Sequence, residues 1–283
     1  MASGPGRFGP ETYADWRASS LGDITEAVER RLIFRLAGEA AGGCVLDVGC
    51  GDGSLALSLW RNGASRVVGC DVDPRMVAPA RAEAMRHRAA VDYVVSRAEQ
   101  MPFAESSFDL VTVITVLAFV PRPIVALREI ARVLTPGGRL VVGDLGRWSF
   151  WAVSRRIRGW LGKAPMWNAA KFRSAGELRV LVQEAGFHVE RVCGAAFYPR
   201  LAPIARLTAP VDAVLGDLTT VGAAFIAVRA EKEVRRYASS EVCSKTTVFG
   251  LEAGGYNEVR GTAKPPFDAR SRIIGDDSGK VVN

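Results

Sequence analysis

The residues of this chain best suited to chemistry are the glycines and acids of one short stretch. Val45-Leu46-Asp47-Val48 is apolar enough for a buried strand, and it runs straight into Gly49-Cys50-Gly51-Asp52-Gly53. Glycines at a strand-to-helix turn let backbone amides approach a ligand with no Cβ in the way. About twenty residues further on, a second apolar run, Val67-Val68-Gly69-Cys70, ends in Asp71. An acid at the tip of the second strand can accept hydrogen bonds from both ribose hydroxyls of an adenosine. The dinucleotide fingerprint G-x-G-x-x-G fails, because Ser54 stands where the third glycine would be. The turn therefore suits a nucleoside ligand that need not present a pyrophosphate.

Acid–base and metal chemistry have few candidates. His87 ends a surface helix and His188 opens a late strand, and solvated or structural roles are expected of both. Asp144, just past an apolar run, is the best candidate base, with a turn-capping role as the alternative reading. Tyr198 is a weaker candidate. Cys44, Cys50, Cys70, Cys193 and Cys243 are odd in number and show no C-x-x-C spacing, so neither a disulfide framework nor a metal site is expected.

These residues need a frame. Strand-length apolar runs at 44–48, 66–71, 91–95, 108–114, 138–143, 188–193 and 222–229 alternate with helical patterns at 53–61, 75–87, 123–133 and 175–185. Continuous apolar strands alternating with helices predict an α/β fold, a parallel sheet covered on both faces. A further helical pattern runs from Asp23 to Gly38, and Thr135-Pro136-Gly137-Gly138 reads as a turn before a buried strand. Residues 1–22 are expected to be flexible, 23–230 to form the domain, and 231–283, rich in both charges and poor in large apolar residues, to be a largely disordered tail with a short strand near 246–250. The 283 residues are 48% hydrophobic and 24% charged, which excludes a wholly disordered chain or a disulfide miniprotein. No apolar run is long enough to span a membrane, and the first residues do not resemble a signal peptide. The expected location is the cytoplasm, at most peripheral to a membrane.

Taken together, the motifs resemble those of the class I S-adenosylmethionine-dependent methyltransferases. Val45 to Gly53 looks like their first motif, and Gly69-Cys70-Asp71-Val72-Asp73 like their second. Ala98-Glu99-Gln100-Met101-Pro102-Phe103 and Ser107-Phe108-Asp109-Leu110-Val111 resemble the third and fourth, and Arg132 to Leu140 the segment before the fifth strand. The branch with the greatest similarity includes the ubiquinone and menaquinone biosynthesis methyltransferases.

That resemblance implies a Rossmann-like sheet of order 3-2-1-4-5-7-6, the last strand antiparallel, with S-adenosyl-L-methionine over the carboxyl ends of the first two strands. It implies that Asp47, Gly49, Cys50 and Gly51 line the methionine half and that Asp71 takes the ribose hydroxyls. Val72 would flank the adenine, the Ala98 amide would meet its ring, and Ile114 and Thr115 would border the sulfonium. Phe119, Trp148 and Trp151 would line the acceptor pocket. Two positions depart from the branch: Arg97 stands where an Asp usually holds the adenine amino group, and Val116 to Val120 is wholly apolar. The implied activity is methyl transfer to a small molecule, a quinol or lipid among the candidates, driven mainly by proximity. An RNA methyltransferase and a non-catalytic S-adenosylmethionine-binding partner are the alternatives, and a nicotinamide dehydrogenase a more distant one. Neither the accepting atom nor the oligomeric state is readable.

One segment is unusual. Residues 147–173 hold four of the six tryptophans, and seven Lys/Arg but no acid lie between Asp144 and Glu177. Phe150, Val153, Ile157, Trp160 and Leu161 share one helical face. Three readings stand: a lid whose aromatics pack on the domain, an interfacial helix touching anionic lipid, and a nucleic-acid contact. The last lacks any Asn/Asp-Pro-Pro-Tyr-type base-methylation motif.

Overall fold

A computed structural model describes residues 10–39, 42–164 and 166–233. Seven strands form one sheet of order β3-β2-β1-β4-β5-β7-β6, as expected. They are β1 (Cys44–Val48), β2 (Arg66–Asp71), β3 (Val91–Val95), β4 (Phe108–Ile114), β5 (Leu134–Leu145), β6 (Phe187–Ala195) and β7 (Phe225–Lys232). β1 to β5 pair in parallel, and β7 runs antiparallel between β5 and β6. Helices α2 (Ser20–Ala37), α3 (Ser54–Arg61) and α4 (Pro74–Arg86) pack with one buried apolar cluster, and α5 (Pro123–Val133) and α8 (Ala175–Glu184) with a second. Leu46, Val67, Val111 and Val142 are fully buried or nearly so, as strands covered on both faces require.

The first four strands have the ends the apolar runs predict. β5 begins earlier than expected. Leu134 pairs with Phe108 and the ladder resumes at Arg139 opposite Leu110, so the Thr-Pro-Gly-Gly turn becomes an irregularity, with Gly137 at φ 73°. β7 begins and ends three residues later than the expected 222–229, because Gly222 is spent in a turn at φ 90° and donates to the Trp148 carbonyl.

Two helices depart from expectation. Part of the segment taken as flexible is helical: α1 (Pro10–Ala18) leads into α2, whose N-cap Ser19 accepts from the Gly22 amide. Trp16 packs edge-on against Trp151, with ring centres 5.7 Å apart, and gives α1 a partner distant in sequence. α9 (Ala202–Leu218) fills a stretch to which the pattern assigns no element, since Pro203, Pro210 and Gly216 read as breakers. Pro203 lies in its first turn, where a missing N–H costs nothing. The basic segment forms α6 (Phe150–Trp160) and a short α7 (Met166–Ala169). The tail from residue 234, its strand near 246–250 and Cys243 lie outside the described residues.

Candidate active site

The carboxyl ends of β1, β2 and β4 converge on the glycine turn. Gly49, Gly51 and Gly53 all have positive φ, at 70°, 54° and 79°. A Cβ on Gly49 would lie 2.1 Å from Cγ2 of Val116, so this glycine is demanded by close approach as well as by conformation. The Gly49 and Cys50 amides both donate to the Cys70 carbonyl, at 2.7 and 3.0 Å, which bends the turn back over β2. Asp71 braces it from the other side. Its Oδ2 accepts from the Gly51 amide at 3.0 Å, and its Oδ1 from the Asp73 amide at 2.9 Å. Val72 beside it is exposed.

Asp47 lies at the floor. Its Oδ1 accepts from the Thr112 hydroxyl at 2.7 Å, while Oδ2 is buried without a partner. Burial, opposed by the Thr112 hydrogen bond and reinforced by Asp71 and Asp52, pushes its pKa up to about 7. Thr115, at the end of β4, has φ 58°, an uncommon conformation for a β-branched residue, and its amide donates to the Gly143 carbonyl at 2.7 Å. Ala98 is half-buried beyond β3, and exposed Arg97 pairs with Glu99 at 3.2 Å. Burial drives the Cys50 thiol well above its ordinary range, so it stays protonated and inert.

The expected acceptor residues do not all meet. Phe119 is partly exposed, and its ring lies 6.2 Å from that of Trp167. Trp151 is interior: its Nε1 donates to the Tyr198 carbonyl at 2.7 Å, and only 2% of it is exposed. Trp148 points to solvent at 63% exposure. Asp144 is fully buried and both of its oxygens are engaged, Oδ1 by the Leu145 amide at 2.9 Å and Oδ2 by Arg173 at 2.5 Å. Burial pushes its pKa up to about 6 in spite of that ion pair. His87 pairs with Glu83 on the surface and His188 is exposed, both as expected.

Pattern reading missed three groups. Arg17 of α1 bridges Asp52 of the glycine turn and Glu26 of α2, tying the N-terminal helices to the turn. Arg155 of α6 is half-buried. Its guanidinium lies 4.6 Å from the Trp167 ring centre and 5.1 Å from that of Trp151, and its Nε has no partner. Burial lowers its pKa to about 10. Arg155 is the charge acting most strongly on Glu29 of α2, whose carboxyl burial lifts to about 7. Only the acid-free run from 144 to 177 could have flagged Arg155, and nothing in the sequence sets Glu29 apart.

Residues 46–142 match the family described as a methyltransferase domain. The ubiquinone biosynthesis O-methyltransferase of Xanthomonas axonopodis pv. citri is 34% identical over 166 residues, covering 57% of this chain and 69% of that protein. The protein of the same name from Pseudomonas paraeruginosa is 33% identical, covering 56% of this chain and 70% of its own. The chain belongs to the class I S-adenosylmethionine-dependent methyltransferases. A solved S-adenosylmethionine-dependent methyltransferase from Thermotoga maritima superposes with a TM-score of 0.60 at 25% identity, over 79% of this chain and 95% of that one.

The methyltransferase's turn fits its cofactor on physical grounds. S-adenosyl-L-methionine carries an ammonium and a sulfonium, and the floor offers a buried carboxylate oxygen without a partner among three acids. The glycine turn keeps side chains away from the face that would receive it, since a Cβ on Gly51 would meet nothing closer than Met76 Cε at 3.3 Å.

Proposed function

We propose that this methyltransferase methylates a hydrophobic small molecule of the quinol or phenol class. The observation that carries this reading is the wall beyond β4. Val116 to Val120 presents no polar side chain, and its Phe119 is followed by Trp167 and Phe172 in a row of rings, with centres 6.2 and 6.3 Å apart. Such a wall suits an apolar ring and keeps water from the reacting atoms. The similarity to ubiquinone biosynthesis O-methyltransferases supports the same class.

In this reading Asp71 holds the ribose hydroxyls, Val72 covers the adenine and the Ala98 amide meets its edge. Asp47, Gly49, Cys50 and Gly51 line the methionine half, and Ile114 and Thr115 border the sulfonium. The bound cofactor supplies an electrophilic methyl group on a positively charged sulfur, which becomes neutral on transfer. The chain's task is then to hold the acceptor in line and dry, and alignment alone contributes several powers of ten in rate. Asp144 is an anchor in this scheme, since it is fully buried and ion-paired to Arg173.

The test is incubation of the purified chain with methyl-labelled S-adenosylmethionine and cell extract, followed by organic/aqueous partition. Label in the organic phase is expected. A labelled product confined to the aqueous phase would overturn the hydrophobic acceptor.

A further inference from the structure

Nineteen large hydrophobic side chains are exposed among the described residues, and fourteen of them fall within 148–161 and 201–221. They are not scattered. On α6, Phe150, Val153, Ile157 and Trp160 follow steps of three and four, each about half exposed or more. On α9, Ile204, Leu207, Val211, Val214 and Leu218 repeat the same spacing. Each set is a continuous apolar stripe facing outward.

Neither helix can turn its stripe inward. α9 buries Ala205, Asp212 and Gly216, and a Cβ on Gly216 would lie 2.0 Å from the Gly194 carbonyl oxygen, so its small face is wedged against β6. Asp212 fixes the rotation by accepting from the Ala196 and Phe197 amides at 3.0 Å each. α6 is fixed by Trp151 and by Gly159, which has no room for a side chain beside Asn168. The two helices belong to one region: Trp151 and Ala205 share a buried cluster, and the Gly222 amide donates to the Trp148 carbonyl at 2.9 Å.

The surroundings of α6 are cationic. A cavity of about 600 Å³ beside it is lined by Arg147, Arg156, Lys171 and Arg173 over the rings of Trp167 and Phe172. Its one carboxylate, Glu177, is paired with Arg147 at 2.8 Å, and Arg173 is paired with Asp144. Among the described residues neither Arg156 nor Lys171 has a carboxylate partner. Outward apolar stripes on helices of one region, with basic residues beside one of them, are the pattern of helices lying in a membrane interface, with cations meeting anionic headgroups.

We propose that α6 and α9 together dock this enzyme on an anionic lipid bilayer, their stripes entering the acyl boundary while the cavity beside α6 takes a lipid phosphate. A second copy of the chain fits less well, since it would bring two acid-free basic segments face to face. Docking is independent of which acceptor is methylated, and it is read without cofactor or acceptor, so its failure and that of the acceptor assignment are distinguishable.

The experiment is flotation of the full chain with vesicles of phosphatidylcholine alone and with one quarter phosphatidylglycerol. Binding to the anionic vesicles at least tenfold above the neutral ones is expected, with tryptophan emission quenched by brominated acyl chains. Trp160→Ser combined with Leu207→Ser should lower vesicle binding at least tenfold. Arg156→Glu with Lys171→Glu should abolish the anionic preference. All four substitutions lie at the surface and should leave the melting temperature unchanged. Equal binding to both vesicle types, indifference to the serine substitutions, or a dimer that Trp160→Ser dissociates would each overturn the proposal.

Discussion

Asp47 keeps one carboxylate oxygen unpaired at the floor of the site and holds a proton up to about pH 7 in the free protein. A cation bound above it favours the ionised form, so cofactor binding should release a proton. Affinity is expected to tighten, by at most about tenfold per pH unit, as pH rises toward about 7, and to level off above it. Calorimetry in two buffers of different ionisation enthalpy reads the proton directly, and Asp47→Asn should flatten the dependence. Asp71→Ala removes the acceptor for the Gly51 amide as well as the proposed ribose contacts, and should weaken cofactor binding by about 1–3 kcal/mol in the same calorimeter. Gly49→Ala combines a left-handed conformation with a clash against Val116 and should cost about 2–4 kcal/mol in urea unfolding. Val116→Ala in the same chain should recover part of that loss, because the two sites are in contact.

At the scale of elements, the segment after β5 is held by a buried ion pair. Asp144 and Arg173 join the end of β5 to the end of the basic segment, where the Arg173 amide also donates to the Leu145 carbonyl at 3.0 Å. Removing one partner leaves the other charge buried. Asp144→Ala should therefore cost about 3–5 kcal/mol and lower the melting temperature. Asp144→Asn keeps the shape, and as an anchor it should leave the pH profile of methyl transfer unchanged. Loss of the profile's basic limb in that variant would return Asp144 to the role of base. The N-terminal helices act on the same site from the other side, α1 through Arg17 to the glycine turn and Trp16 to Trp151.

Over the described residues of the whole molecule, four carboxyls have raised proton affinities: Glu29 and Asp47 at about 7, Asp144 at about 6, and Asp212, which burial also pushes up. Each binds its proton more tightly folded than unfolded, where carboxyls titrate near 4. Their contribution is present in full below about pH 4 and is lost as pH rises through about 6 to 7. The free enzyme should therefore melt at falling temperature between about pH 5 and pH 8 in scanning fluorimetry. S-adenosylmethionine should raise the melting temperature more at the upper end, since it relieves Asp47. Among the described residues no helix is long and apolar enough to cross a membrane.

The sequence by itself determined the sheet and the turn. Buried parallel strands are written as unbroken apolar runs, and a glycine turn followed by an acid at the second strand's tip is a local pattern with local causes. Asp47, Gly49, Gly51, Asp71 and Thr115 were legible for that reason: each sits at or within a strand end that the sequence marks. Only the tertiary structure decided the rest. Arg155 reads as a surface cation until Trp151 and Trp167 enclose it, and Asp144 reads as a free acid until Arg173, distant in sequence, arrives beside it. The apolar face of α6 would be taken for core by periodicity alone, and α9 is not read as a helix at all, yet both helices carry outward apolar faces. They face outward because glycines and a buried aspartate seat the opposite sides of the two helices, and such contacts join residues whose separation along the chain carries no period.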